Sequence, residues 1–234
     1  MKIKAYTLFT PTHKDFLYKY LLKSFKYNPN VELTIIPKPQ LCETAESRSD
    51  GWHATMHYKV NCFYEKLKEC DEQTEYFMFI DPDIMIYKDF YNDLVSRMNQ
   101  GYDVLFQNDY PGGVNTGFFV VRNNKNTRAF FNTVRGNLDK FVEEQVATNA
   151  LLQNLHQFPT LQIKWGMLPR EYWTYGEISG QFNPKTGKLK GHWDGNDETF
   201  EIPKNIIIHH GNWTICKDDK YKILDIVEKK VYGN

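Results

Sequence analysis

Two aspartates one residue apart, in the stretch EYFMFIDPDIMIY (residues 75–87), stand inside an otherwise apolar run. Carboxylates are seldom buried unless they are paired or hold a cation. On an extended backbone, residues i and i+2 project to the same side, so Asp81 and Asp83 can act together. Just past the C-terminal end of a central parallel strand, they lie at the crevice where α/β sheets bind ligands. Two oxygen donors there suit a hard divalent cation that keeps open positions for substrate phosphates. An Asp-Pro turn capping the next element is the alternative, and the short motif alone leaves both open.

Four further stretches carry candidate chemistry. In IIIHHGNWT (206–214) an apolar strand runs into two histidines. Alternation with Ile206 and Ile208 places His209 and His210 on opposite faces, so one of the two points into a site. An imidazole added to two carboxylates favours Mn²⁺ over Mg²⁺. Downstream, Lys217 is within reach of a phosphate. In YPGGVNTGFFVV (110–121), Gly112 and Gly113 permit close backbone approach, and Asn115 and Thr116 open the next strand with hydrogen-bonding side chains. A tight turn accounts for the glycines but not for the polar N-T-G. In VEEQVATNALL (142–152), Glu143, Glu144 and Gln145 start a helix, where acids favour its dipole; hydrogen bonding to a polyol is an added role. In GWHATMHYKV (51–60), Trp52, His53, His57 and Lys59 read as a surface helical patch, with Lys59 leaning toward phosphates as the alternative. DGNDE (194–198) has the wrong spacing for a calcium loop and reads as a turn.

The elements that must position these residues follow from periodicity. Strands are expected at 3–9, 31–36, 75–80, 102–108 and 115–122, and helices at 14–27, 52–70, 89–101, 126–135 and 143–155. Strand and helix alternate, which points to an α/β sandwich with a largely parallel sheet. Residues 37–51 form a polar loop. From about residue 160 the texture changes to short strands and a Gly/Pro-rich, hairpin-like run at 183–198, followed by a charged closing helix from Asp218. No repeat breaks the chain, and one domain of 234 residues is expected.

Composition limits the partners. Lys+Arg and Asp+Glu both total 29, so no broad basic face is available to grip nucleic acid or an anionic membrane. The four cysteines form no C-x-x-C pair, which fits a reduced compartment, and no stretch has the ~20 apolar residues of a membrane span. With no leader-like N-terminal run, a cytoplasmic protein is expected.

Taken together, these stretches resemble a nucleotide-diphospho-sugar transferase of the GT-A fold, over roughly residues 3–217. FIDPDIMI is similar to that group's D-x-D motif, and VNTGFFVV, EEQVATNALL, LPREYW and HHGNW follow in matching order. The nearest likeness is to the family that includes plant and algal-virus enzymes, with a more distant similarity to the glycogenin-like group. The resemblance implies a single Rossmann-like α/β domain, its mostly parallel central sheet flanked by helices and elaborated by C-terminal loops and a hairpin. Residues 1–108 would form the nucleotide-binding half and 109–234 the sugar and acceptor half. Asp81 and Asp83 would hold the metal, Asp83 most directly, with His210 as third ligand and His209 as runner-up. Phe9, Thr10 and His13 would border the nucleotide base, Lys59 and Lys217 would approach the diphosphate, and Asn115, Thr116, Glu144 and Gln145 would line the sugar pocket. One departure is that the family's acidic residue near a D-Q helix start appears here as Glu144-Gln145.

The implied reaction moves a hexosyl or deoxyhexosyl group from a nucleotide-diphosphate sugar, most commonly UDP-linked, to an acceptor hydroxyl on a glycan or other molecule. Mn²⁺, or Mg²⁺, would bridge the donor phosphates. An inverting enzyme needs a carboxylate base, for which Asp109 is the candidate; a retaining one needs none. Two other classes compete. A haloacid-dehalogenase-type phosphohydrolase also places D-x-D after an apolar strand, though it prefers a following Gly-Thr where this chain has Ile84-Met85-Ile86. A catalytically inactive, sugar-binding module would use the aromatic loops.

Overall fold

The computed structural model describes residues 1–42, 51–72, 75–110, 112–141, 143–183, 187, 189–193, 195 and 199–233. β1 (Lys2–Phe9) leads through a 3-10 turn into a helical run made of α1 (Lys14–Phe16), a π-helical turn (Leu17–Leu22) and α2 (Lys23–Phe25). This run buries Phe16, Leu17, Tyr20 and Leu21, the apolar stripe its spacing shows. β2 (Val31–Pro37) returns parallel to β1. α3 (Trp52–Glu69) then buries Met56, Val60, Phe63 and Leu67, and Lys59 beside them.

β3 (Glu75–Ile80) is the strand that ends in the two aspartates, and β4 (Ile84–Ile86) follows at once. After α4 (Tyr91–Met98) come β5 (Val104–Asn108) and β6 (Val114–Arg122). α5 (Lys125–Gly136) starts from a capping box in which Asn124 and Thr127 satisfy each other's backbone N–H groups. α6 (Glu144–Gln153), β7 (Trp165–Met167), β8 (Tyr172–Thr174), β9 (Ile208–His210) and α7 (Lys217–Tyr232) complete the order.

The main sheet has the order β2-β1-β3-β6-β5-β7. The pairs β1–β2, β1–β3 and β5–β7 are parallel, while β6 runs antiparallel to both of its neighbours. Both faces are covered, which is why β3 reads as a continuous apolar run. Phe77 and Phe79 meet Phe63, Phe119 and Phe131 in the layer under α3, α5 and α6. Tyr76, Met78 and Ile80 join Leu17, Leu21, Phe90 and Leu94 in the layer on the other side.

A second sheet of order β4-β9-β8 was not separable from the sequence, because Ile84–Ile86 looks like the tail of the D-x-D stretch. Behind it Trp173, Trp193, Phe200, Ile223 and Leu224 form a third apolar cluster, closed by α7. The hairpin-like run is represented by an antiparallel bridge between Phe182 and Leu189. Residues 43–50 of the expected polar loop, and 194 and 196–198 of the expected DGNDE turn, lie outside the described residues.

One buried acid gives this region a pH signature. Glu177, in the 3-10 turn Tyr175–Ile178, has its carboxyl pushed up to about 7 by burial, only partly opposed by Arg170 at 3.5 Å. A raised pKa means the folded state binds the proton more tightly, so stability falls as pH rises from about 4.5 to about 7. Glu177→Gln should therefore melt a few degrees above the wild type at pH 8 and gain nothing below about pH 4.5. Thermal melts across that window check this, and a constant offset at all pH values would contradict it.

Candidate active site

The C-terminal ends of β1, β3 and β5, the start of β6 and the first turns of α6 and α7 surround a cleft of about 590 Å³, ample for a small-molecule ligand. Phe9, Thr10 and His13 line one wall, and Lys217 stands at another. Lys59, Asp81, Asp83 and His210 form the inner end, with Asp109, Asn115, Thr116, Glu144 and Gln145 beside them. Of the residues to which the resemblance gives a part, all but His209, the runner-up ligand, thus border the same space.

The inner end is assembled by two strand pairings. In the main sheet, antiparallel β3–β6 pairing sets Gly117 beside Asp81, whose backbone N–H donates to the Gly117 carbonyl at 2.7 Å. A Cβ on Gly117 would stand 2.2 Å from the His210 ring and 2.6 Å from an Asp81 carboxylate oxygen, so only glycine fits. In the second sheet, β4 pairs with β9 so that Ile84 faces His210, and the Gly211 N–H donates to the Asp83 carbonyl at 2.9 Å. That pairing carries His210 Nε2 to 3.3 Å from Asp83 and 3.9 Å from Asp81. One ligand atom from each of these three residues lies within 4.8 Å of the others.

The protonation of His210 follows from its neighbours. Gln107 donates its amide to the carbonyls of Tyr172 and Trp173 at 3.1 and 3.2 Å, so its Oε1 must face His210. His210 Nδ1, 3.1 Å away, then carries the hydrogen and donates to it, which leaves the Nε2 lone pair aimed at the aspartates. A lone pair facing two carboxylates is repulsive without a proton or a cation between them, and two carboxylates with an imidazole are a suitable donor set for a divalent ion. His209 points the other way. It is fully buried, packs against Trp173 with the rings tilted by 34° and their centroids 5.0 Å apart, and neither ring nitrogen has a hydrogen-bond partner among the described residues. Burial pushes its pKa down to about 3, so it is a neutral core residue.

Two lysines hold the aspartates. Lys59 reaches Asp81 at 3.1 Å and Glu144 at 2.7 Å, and Lys220 reaches Asp83 at 2.5 Å. Against the desolvation of burial, Lys220 and His210 keep the Asp83 carboxyl well below the usual carboxylate range. Burial pushes Asp81 up, with Lys59 opposing and Asp83 adding to it. Lys59 is therefore not on a surface patch; the desolvation of its ammonium is outweighed by Asp81 and Glu144, which raise its pKa. His13 faces the same charges, and burial with the nearby lysines pushes it down to about 4, leaving it neutral.

Asp109, the candidate base, sits inside a hydrogen-bond network. It is fully buried, and its carboxylate accepts from Asn115 (2.9 Å), Asn212 (3.1 Å), Trp213 Nε1 (2.8 Å) and Gln145 (2.9 Å). Three of these donors meet Oδ1 and one meets Oδ2, so the carboxylate anchors four side chains, while burial pushes its pKa up against those hydrogen bonds. Gln145 also accepts from the Thr116 N–H at 3.3 Å, and Thr116 donates its hydroxyl to Glu144 at 3.1 Å. Trp213 adopts φ 58°, a left-handed conformation that strains a non-glycine residue, and its ring stacks on His192 at 4.9 Å. Gly176 makes room for that indole, since a Cβ there would meet Trp213 Nε1 at 2.4 Å. Sequence reasoning missed Gln107, Asn212, Trp213 and Lys220. HHGNW and the first helical turn after it contain three of them, but nothing in the pattern shows which way they point.

The comparisons agree with this geometry. The family model described as nucleotide-diphospho-sugar transferase matches residues 21–224. A glycosyltransferase involved in glycosylation of the major capsid of PBCV-1 has a similar structure, with 11% identity and a TM-score of 0.56 over 97% of this chain and all of that one. Mouse xyloside xylosyltransferase 1 gives 9% identity and 0.51 over 91% of this chain and 98% of that one. The glycosyltransferase GlyE of Streptococcus pneumoniae TIGR4 gives 11% and 0.57, with the whole of this chain spanning 64% of its own. At such identities the likeness shows a shared fold. No curated protein sequence matches this one, and among the described residues no helix is long and apolar enough to cross a membrane.

The Asp109 network yields a direct test. Asp109→Asn replaces an acceptor with an amide that must oppose one of four N–H donors, which should cost about 1–3 kcal/mol. Urea denaturation measures it, and a variant as stable as the wild type would show the network is not holding the cleft.

Proposed function

This chain belongs to the nucleotide-diphospho-sugar transferase family, and we propose that its cleft binds a nucleotide-diphosphate sugar, UDP-linked foremost, and passes the sugar to an acceptor hydroxyl on a glycan or small molecule. The observation that supports it most is the His210 Nε2 lone pair turned onto Asp81 and Asp83 at the end of the cleft. Family membership replaces the phosphohydrolase alternative.

In this reading Asp81, Asp83 and His210 would hold a divalent ion, Mn²⁺ in preference to Mg²⁺, which would supply positive charge against the departing nucleoside diphosphate. The other steps fall to the chain's own side chains. Lys220 and Lys217 add positive charge on the α7 side of the cleft, where phosphates would lie. Phe9, Thr10 and His13 flank the base, and a neutral His13 offers it a hydrogen-bonding ring without a charge. Asn115, Thr116 and Asn212 face the sugar; the buried Asn212 Oδ1 has no hydrogen-bond partner among the described residues, which suits a ligand hydroxyl. Asp109, Glu144 and Gln145 act by fixing those groups in place, and Lys59 by balancing Asp81 and Glu144. The acceptor oxygen would then bond to an anomeric carbon already held among oriented dipoles as the bond from that carbon to the phosphate oxygen breaks, the nucleoside diphosphate leaving with the electron pair and taking up the hydroxyl proton.

Thermal-shift titration with UDP and with GDP, each with and without Mn²⁺, tests this. UDP at about 100 times its Kd should stabilise by about 2.7 kcal/mol, or roughly 5 °C or more, only when Mn²⁺ is present. Asp83→Ala should abolish the shift. If neither nucleotide gives a metal-dependent shift, the proposal fails; a shift with GDP alone would keep the site and change the base.

A further inference from the structure

On the outer surface of α3, away from the cleft, His53 and His57 lie one helical turn apart and converge on Asp139 in the turn after α5. The two Nε2 atoms are 3.2 Å apart, and His57 Nε2 is 3.3 Å from an Asp139 oxygen. Two imidazole nitrogens this close need a proton or a cation between them. The Leu138 carbonyl, 3.0 Å from His53 Nε2, accepts a hydrogen bond when that nitrogen carries a proton, and a cation would take the place of that proton. Zinc bonds of about 2.0–2.1 Å to nitrogen and oxygen in tetrahedral geometry put ligand atoms about 3.3–3.4 Å apart, and the two spacings here are close to that.

We propose that His53, His57 and Asp139 form a second cation site, selective for a zinc-class transition metal, which ties α3 to the turn following α5. Two imidazoles with one carboxylate rank Zn²⁺ far above Mn²⁺ or Mg²⁺, whereas the carboxylate-rich cleft suits the latter pair better. The turn is anchored for this purpose: Leu138 is fully buried, and Phe141 and Lys140 donate their N–H groups back to Asn137. The site also sits on a junction that matters to the cleft. Lys59 is two residues past His57 on α3, and Glu144, its 2.7 Å partner, opens α6 five residues past Asp139. A cation on the outside would pin the two segments that the Lys59–Glu144 ion pair joins on the inside.

Calorimetric titration of the full chain with Zn²⁺ and with Mn²⁺ tests the site. H53Q/H57Q should lose one zinc equivalent that both the wild type and Asp83→Ala retain, with its Mn²⁺ uptake unchanged. Asp139→Asn should weaken the same equivalent by tenfold or more. Without metal these surface variants should melt with the wild type, and Zn²⁺ should raise the melting temperature of Asp83→Ala but not of that protein carrying H53Q/H57Q. H53Q/H57Q binding as many zinc equivalents as the wild type would overturn the proposal, as would equal affinity of this site for Mn²⁺.

Discussion

The three-residue pairing of β4 with β9 is the contact on which the site depends. Asp83 leaves the main sheet and His210 arrives 127 residues later; only the register Ile84↔His210, with Gly211 bonded to the Asp83 carbonyl, brings them to 3.3 Å. A shift of one residue would turn His209 into the cleft and bury His210 against Trp173, because alternate residues face opposite sides. The second sheet is small, yet its register is well determined. Trp173, Phe200 and Leu224 need an apolar surface on one face, and His209, neutral and packed against Trp173, can serve there while His210 cannot without losing Gln107. The apolar packing behind the sheet thus selects which histidine meets the aspartates.

A second constraint is polar. The cleft is lined by groups that would be costly to leave unmatched, and they are matched largely among themselves. Asp109 gathers donors from β6, α6 and the segment after β9, so its carboxylate links three separate parts of the chain. Strain is concentrated at the same place, in the left-handed Trp213 seated above Gly176. The indole hydrogen bond to Asp109 at 2.8 Å and the ring stack on His192 hold Trp213 in that conformation.

Much of this was legible from residue types. Periodicity located the strands and helices of the main sheet, since each has a face or a run long enough to read. The D-x-D pair and the strand-end histidine announced themselves as polar groups in apolar surroundings, and alternation limited the histidines to one. The rest depended on orientation. Lys59 belongs to a stripe with Met56, Val60 and Phe63, which only tertiary packing reveals as an inner ion-pair partner. Ile84–Ile86 is too short to be distinguished from its flanks, so the second sheet was invisible. Asp109 reads as a carboxylate near the site, but the four side chains it holds come from three parts of the chain, and Lys220 looks like one charge among many on α7 until it meets Asp83. His53 and His57 did read as a surface pair, but Asp139 is 82 residues away in sequence and only the α3–α5 packing joins them.

Charge balance explains why the inner cleft has the composition it does. Asp81, Asp83 and Glu144 face Lys59 and Lys220, three carboxylates against two ammonium groups, with Asp109 matched by neutral donors alone. Burial raises the proton affinity of Asp81, with Lys59 opposing, while Lys220 and His210 hold that of Asp83 well below the usual range. The two lysines differ in what they can still do. Lys59 has a side chain only 10% exposed and is locked between two acids, so its charge is already spoken for. Lys220, at 26%, sits on the first turns of α7 at the cleft edge and has one acid partner, so in the proposed function it is the lysine whose ammonium would face a donor phosphate while still held beside Asp83. The locked pair and the open pair thus divide the work, Lys59 bracing the inner wall between α3 and α6 and Lys220 holding Asp83 from the cleft edge.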